Sequence, residues 1–158
     1  MWKNKVWIFS VFFGIIISFS GCFNRVKPVE IKVYFANHTW NHFAVMDAKF
    51  EITNVDKTYE VVVGLNVIDG FEVDEVPVVI AITSPDGQQN IINKTIVVKI
   101  DGNYLGKINE NVWTIEQVVY SAKQFSQTGT YSVYISNRSQ YYNLYKTEAL
   151  FFAVRPKK

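Results

Sequence analysis

The stretch Ala44–Ile52, with the sequence AVMDAKFEI, decides the fold class because apolar and charged residues alternate along it. Its even-numbered residues are all apolar, whereas Asp47, Lys49 and Glu51 lie between them. Successive side chains of a β-strand point to opposite faces of the sheet, so a period of two gives one dry and one wet face. The stretch therefore predicts a half-buried β-strand.

Similar segments continue this pattern through most of the chain. They are rich in β-branched and aromatic residues, and turn signals such as Ser84-Pro-Asp-Gly87 separate them. The segments span residues 31–37, 59–68, 76–83, 90–100, 112–120, 129–137 and 145–154. Together they predict a single antiparallel β-sandwich, jelly-roll or immunoglobulin-like, of about eight strands over residues 31–158, with a closed barrel as the alternative. Ser121–Gln127 is predicted to be a turn or a short helical loop.

The first residues of the chain have the parts of an export signal. Lys3 and Lys5 form a positive head, and the apolar run Val6–Phe19 is shorter than the ~20 residues that span a bilayer. The run ends in Ser20-Gly21-Cys22, which resembles a bacterial lipobox. This predicts a lipoprotein signal peptide over residues 1–21, lipidation of the Cys22 thiol, and a short tether over residues 22–30. The alternatives are an ordinary secretory signal and a short uncleaved anchor.

The charge of the chain limits its partners. The formal net charge is +2, and loss of Lys3 and Lys5 with the signal peptide would leave a neutral chain. A neutral chain lacks the basic surface that nucleic acid requires, and it lacks a polybasic patch for lipid head groups. The predicted contact with the membrane is therefore the lipid on Cys22, and no nucleic-acid partner is expected.

No motif in the sequence indicates catalysis. His38 and His42 are four residues apart, but no third ligand accompanies them, so we predict no metal site and no other cofactor. The acidic run Asp69–Glu75 does not match a calcium loop and reads as a solvated connection. Neither a nucleophile elbow nor a phosphate-binding glycine loop is present. We predict a protein that is not an enzyme, the alternative being a hydrolase that uses an unrecognised pair of carboxylates.

Two aromatic clusters lie outside the predicted strand cores. Trp40 and Phe43 flank a predicted loop, and Tyr141, Tyr142 and Tyr145 crowd a second one. Exposed rings at the end of a sandwich bind partner proteins or stack on sugars, so these five residues are the candidate ligand- or partner-binding residues. The alternative is that they pack over the open end of the sandwich. Other aromatic residues fall in strand patterns and are predicted to be core: Phe50, Tyr59, Phe151 and Phe152.

The chain resembles the gliding-motility lipoproteins of the GldH type. The similarity lies in the lipobox, in the element Gly102-Asn103-Tyr104-Leu105-Gly106, in the strand that opens Gly129-Thr130-Tyr131, and in the terminal LYKTEALFFAVRPKK. It departs from the family at Tyr104, where tryptophan is usual, and in lacking a YPY-like element after the second long strand.

This resemblance implies a non-enzymatic outer-membrane lipoprotein within or beside a motility or secretion complex. It implies no catalytic residues. The residues after Cys22, FNRVKP, lack an acidic export cluster, which favours a periplasm-facing location. A carbohydrate-binding lipoprotein of the cell envelope is the alternative function.

Overall fold

A computed structural model describes residues 26–158 of the chain. The predicted signal peptide and the first four residues of the predicted tether, Cys22 among them, lie outside the described residues. The described part consists of β-strands and one 3-10 turn, Ala36–His38. The strands are β1 Val29–Tyr34, β2 Thr39–Asn41, β3 Val45–Ile52, β4 Thr58–Ile68, β5 Glu75–Thr83, β6 Gln89–Val97, β7 Lys99–Ile100, β8 Asn103–Tyr104, β9 Lys107–Asn109, β10 Val112–Gln124, β11 Gly129–Asn137, β12 Asn143–Tyr145 and β13 Thr147–Pro156.

The strands form two main antiparallel sheets. The five-stranded sheet has the order β1-β13-β4-β10-β9, and the four-stranded sheet has the order β3-β11-β5-β6. Two small ribbons, β2 with β12 and β7 with β8, complete the fold. This confirms the predicted all-β class and its antiparallel sandwich. All the predicted strands are present, and the additional ones are short segments of two or three residues.

The core lies between the inner faces of the two sheets, as the alternation predicts. Met46, Phe50 and Ile52 of β3 are buried, while Asp47, Lys49 and Glu51 face solvent. On β11, the strand next to β3, Tyr131, Val133 and Ile135 are buried on the same side. Residues 26–158 thus contain both faces of one continuous core, and we expect this range to fold as a unit. The four predicted core aromatics, Phe50, Tyr59, Phe151 and Phe152, are all buried.

Phe151 is buried on the outer face of the five-stranded sheet, away from the main core. It forms a small cluster there with Val62 and Ala153. Arg155 extends across the row that holds Val62 and Ala153 and donates a hydrogen bond of 2.9 Å from Nη1 to Oε2 of Glu116. This hydrogen bond is the main reason that the pKa of Glu116 is lowered. The outer cluster is therefore flanked by charged side chains.

The turn predictions have different outcomes. Ser84–Gly87 forms the predicted hairpin turn between β5 and β6, with Gly87 N donating to Ser84 O at 2.9 Å. Gly129 begins β11 with a positive φ of 125°. The prediction of a turn or helical loop at Ser121–Gln127 is wrong over its first half, because β10 continues to Gln124. Tyr59 and Thr58 of β4 pair with this extension, and register shifts interrupt the pairing beyond Val118.

The chain enters the sandwich at one end and places its aromatic loops at the other. β1 begins at Val29, which pairs with Val154 near the end of β13. This start is two residues ahead of the predicted domain boundary. β1 then runs to the opposite end, where the ribbon of β2 and β12 is located. Within residues 26–158, no helix has the length and apolar character needed to cross a bilayer.

Candidate functional site

The ribbon of β2 and β12 positions the candidate aromatic residues through simple alternation. Trp40 pairs with Leu144, and both side chains are buried. The flanking pairs, Asn41 with Asn143 and Thr39 with Tyr145, are on the other face of the ribbon. Because side chains alternate between the two faces of the ribbon, Tyr145 points outward and Trp40 points inward.

Trp40 is fully buried, so its prediction as a ligand- or partner-binding ring is wrong. Its ring stacks on Phe35 with centroids 5.3 Å apart, and its Nε1 donates a 2.8 Å hydrogen bond to Ala44 O. The sequence carried a signal for this burial, because Thr39-Trp40-Asn41 alternates polar, apolar and polar. Trp40 is a packing residue that fixes the loop leading from β2 to β3.

The remaining four candidates are exposed, and we call them the aromatic patch: Phe43, Tyr141, Tyr142 and Tyr145. Their exposed fractions are 73%, 46%, 61% and 66%. Phe43 and Tyr142, from different loops, meet edge to face with ring centroids 5.8 Å apart and ring planes at 85°. The two aromatic clusters, which are far apart in the sequence, therefore meet at one end of the sandwich.

Hydrogen bonds hold both loops of the aromatic patch in place. His42 N donates to Tyr142 O at 2.8 Å, which joins one loop to the other. Asn41 Nδ2 donates to Asn143 Oδ1 at 3.0 Å, and Asn41 Oδ1 accepts from Phe43 N at 2.9 Å. The backbone that carries Phe43 and Tyr142 is thus fixed before any partner arrives.

The two histidines, His38 and His42, lie in different local surroundings. His38 lies in the 3-10 turn, and His42 packs its ring edge to face against Phe43, 5.5 Å away. Among residues 26–158, no group of three or more histidine, cysteine, aspartate or glutamate side chains is arranged to hold a metal ion. His42 packs at the edge of the aromatic patch.

An open groove of about 770 Å³ lies beside Tyr141. Glu72, Asp74 and Glu75 line one part of it, so the predicted solvated acidic run borders the aromatic patch. Lys99 Nζ is 3.4 Å from an Asp74 carboxylate oxygen and partly offsets this negative charge. The surface next to the patch therefore combines an exposed tyrosine with acidic side chains.

Comparison with known proteins adds little to this description. No protein-family model matches the chain, and no curated protein matches it in sequence. Among solved structures, the chain is similar to VP2 of the infectious bursal disease virus subviral particle, with a TM-score of 0.39 and 9% identity. The match covers 82% of this chain and 33% of VP2, so the chain spans about a third of that protein. A similarity at this level carries no argument about function.

Proposed function

We propose that this chain is a non-enzymatic lipoprotein of the bacterial envelope that binds another envelope protein through its aromatic patch. The observation that carries the proposal is the aromatic patch itself. Its exposed rings are concentrated at one end of the sandwich and held by hydrogen bonds between two loops. Tyrosine and phenylalanine are enriched at the centres of protein interfaces, because they bury a large area at a low entropic cost.

The geometry of the rings favours a protein partner over a sugar. Stacking on a sugar uses two or three exposed rings that are roughly coplanar, whereas the planes of Phe43 and Tyr142 are almost perpendicular. Perpendicular rings form a notch between an edge and a face, which suits an inserted side chain. The carbohydrate-binding alternative retains only the exposure of the rings in its favour.

The position of the patch is compatible with a lipid anchor. Val29, where the chain enters the first strand, and Phe43 lie at opposite ends of the sandwich. A tether attached to lipidated Cys22 would therefore not compete with the patch for the same surface. With the resemblance to the GldH-type lipoproteins, this supports a component or accessory of a motility or secretion complex, on the periplasmic side of the outer membrane.

Partner capture tests the role of the aromatic patch. A tagged chain carrying Phe43→Ala and Tyr142→Ala should lose the proteins that the wild type retains after cross-linking in whole envelopes. Tyr134→Ala is the matched control, because Tyr134 is 42% exposed and lies within β11, away from both loops of the patch. We expect the double variant to lose the proteins that the wild-type bait captures, and the control variant to retain them. Equal capture by both variants, or no specific capture by the wild type, would contradict the proposed partner binding.

The lipid anchor has a separate test. The intact mass of the protein purified from its own membranes should equal residues 22–158 plus a diacylglyceryl and an acyl group. Cys22→Ala should lack this increment and leave the membrane fraction, since the anchoring acyl chains contribute ~0.8 kcal/mol per buried CH₂. An unmodified mass for the wild type would refute lipidation while leaving the partner test intact.

Protease treatment of whole cells would test the periplasmic location, because a surface-exposed chain would be digested.

A further inference from the structure

β6 is an edge strand that lacks the usual protection against pairing with another strand. Among residues 26–158 it pairs only with β5, over nine consecutive residues, Gln89–Val97, with no register shift. It contains no proline, and its only charged residue is Lys94. Edge strands in natural proteins are normally short, bulged, or rich in charge or proline, because their free N–H and C=O groups bind any available strand.

The other edges of the two sheets have these protective features. β3, the opposite edge of the same sheet, presents Asp47, Lys49 and Glu51 to solvent. In the five-stranded sheet, β1 carries Glu30 and Lys32, and β9 has only three residues. The contrast within one molecule indicates that the absence of protection is specific to β6.

The outer face of the sheet next to β6 carries a single charged residue, Glu75, at the start of β5 opposite Val97. Ile91 is 60% exposed, and it lies in one row with Ala81 and Tyr134. The outer-face residues of the three neighbouring strands are Glu75, Pro77, Val79, Ala81, Thr83, Gln89, Ile91, Asn93, Thr95, Val97, Thr130, Ser132, Tyr134 and Ser136. The outer-face residues of β6 itself are all uncharged, so a second β6 could pair along this edge with little electrostatic repulsion on that face.

The side chains of β6 are complementary to a second copy of β6 running antiparallel. With the two-fold axis at Asn93, all nine residues pair, Ile91 is opposite Thr95, and Ile92 is opposite Lys94. The two Asn93 amides face each other and can hydrogen-bond. Moving the axis to Lys94 would place two positive charges opposite each other, and moving it to Ile92 would shorten the ladder. The register centred on Asn93 is therefore the favoured one.

We propose that β6 is a self-association edge, through which a second copy of this chain pairs antiparallel about Asn93. The two four-stranded sheets would then join into one continuous sheet. This pairing does not use the aromatic patch, and it places each patch at the end of the joined sheet where the other copy's β1 begins. Asn90 Nδ2, which donates to Tyr120 OH of β10 at 2.7 Å, helps to hold β6 against the other sheet.

Cysteine cross-linking of the full chain in its native membranes tests this pairing. Residues opposite each other across antiparallel strands have Cα atoms about 4.5–5.5 Å apart, which permits a disulfide. Asn93→Cys should therefore give a disulfide-linked dimer under mild oxidation. Lys49→Cys, an exposed position on the protected edge β3, is the matched control and should remain monomeric, as should the wild type with Cys22 alone.

The register makes a second, sharper test possible. Ile91→Cys and Thr95→Cys should each fail to cross-link when alone, because each cysteine lies several residues along the strand from its symmetry mate. The two variants co-expressed with different tags should form a mixed dimer. Asn93→Lys should remove association, as two like charges would face each other. Dimers formed equally by Asn93→Cys and Lys49→Cys, the absence of any Asn93→Cys dimer, or cross-linking of Asn93→Cys only to a different protein would overturn the proposal.

Discussion

Gly64→Ala should lower the stability of the sandwich by about 3 kcal/mol, close to the upper range for overpacked cores. A Cβ at this position would lie 2.2 Å from Ile115 O and 2.2 Å from Cζ of Phe151. Gly64 is in the middle of β4 between two paired strands, so its backbone has no room to move away. Phe151 is directly opposite Gly64 on β13, and its ring covers the space that a side chain would need.

Chemical denaturation of residues 26–158 would measure this loss of stability. Gly87→Ala is the matched control, because a Cβ there has open space and meets only the strain of a positive φ of 85°. That strain costs about 1 kcal/mol, so the two variants separate steric overlap from backbone conformation. If Gly64→Ala were no more destabilising than Gly87→Ala, the close packing of β4 described above would be incorrect.

A double-mutant cycle with Phe151→Ala identifies the clashing group. Removing the Phe151 ring frees space over Gly64, so Gly64→Ala should cost less in that background than in the wild type. The remaining cost measures the overlap with Ile115 O, which no side-chain substitution can relieve. Strictly additive effects would mean that the two residues do not interact, because contacting residues normally show a coupling free energy of about 0.5–3 kcal/mol.

The sequence could predict those features of the fold that depend on local alternation. The charged residues between Met46 and Ile52 identify the wet face of β3, and Ser84–Gly87 marks the turn between β5 and β6, in both cases without knowledge of any neighbouring strand. Features that depend on which strands are neighbours could not be predicted in this way. The approach of Phe151 to Gly64 follows from the pairing of β13 with β4, and strand order is not contained in a period of two.

The candidate site shows the same division. Exposure of Tyr141 and Tyr142 was predictable, since they are adjacent residues of a loop with no apolar alternation. The contact between Phe43 and Tyr142 was not, because it requires β2 to pair with β12 across most of the chain length. The same pairing buries Trp40. The alternation in Thr39-Trp40-Asn41 covers only three residues, which is too short to predict this burial without the pairing. The open edge of β6 was likewise visible only in the order of the sheets.

Trp40→Ala should cost about 3–5 kcal/mol of folding stability, the range observed when a large buried aromatic side chain is removed. The substitution would leave a cavity beside Phe35, and Ala44 O would lose the indole donor that binds it at 2.8 Å. Trp40→Phe keeps a ring against Phe35 and should cost less, mainly the net contribution of the hydrogen bond, about 1 kcal/mol, plus a smaller cavity. Denaturation midpoints of the two variants of residues 26–158 would establish this order.

Trp40→Phe should also weaken partner capture by the aromatic patch, although Trp40 has no exposed surface. Trp40 Nε1 binds Ala44 O on the far side of His42 and Phe43, so this bond closes the loop that carries Phe43. Without it, Phe43 is held against Tyr142 less firmly, and the patch loses part of its preorganisation. Phe43→Ala is the contrasting variant, because an exposed side chain contributes little to stability and its loss should reduce capture alone. If Trp40→Phe lowered the denaturation midpoint but retained full capture, Trp40 would stabilise the sandwich without positioning the patch.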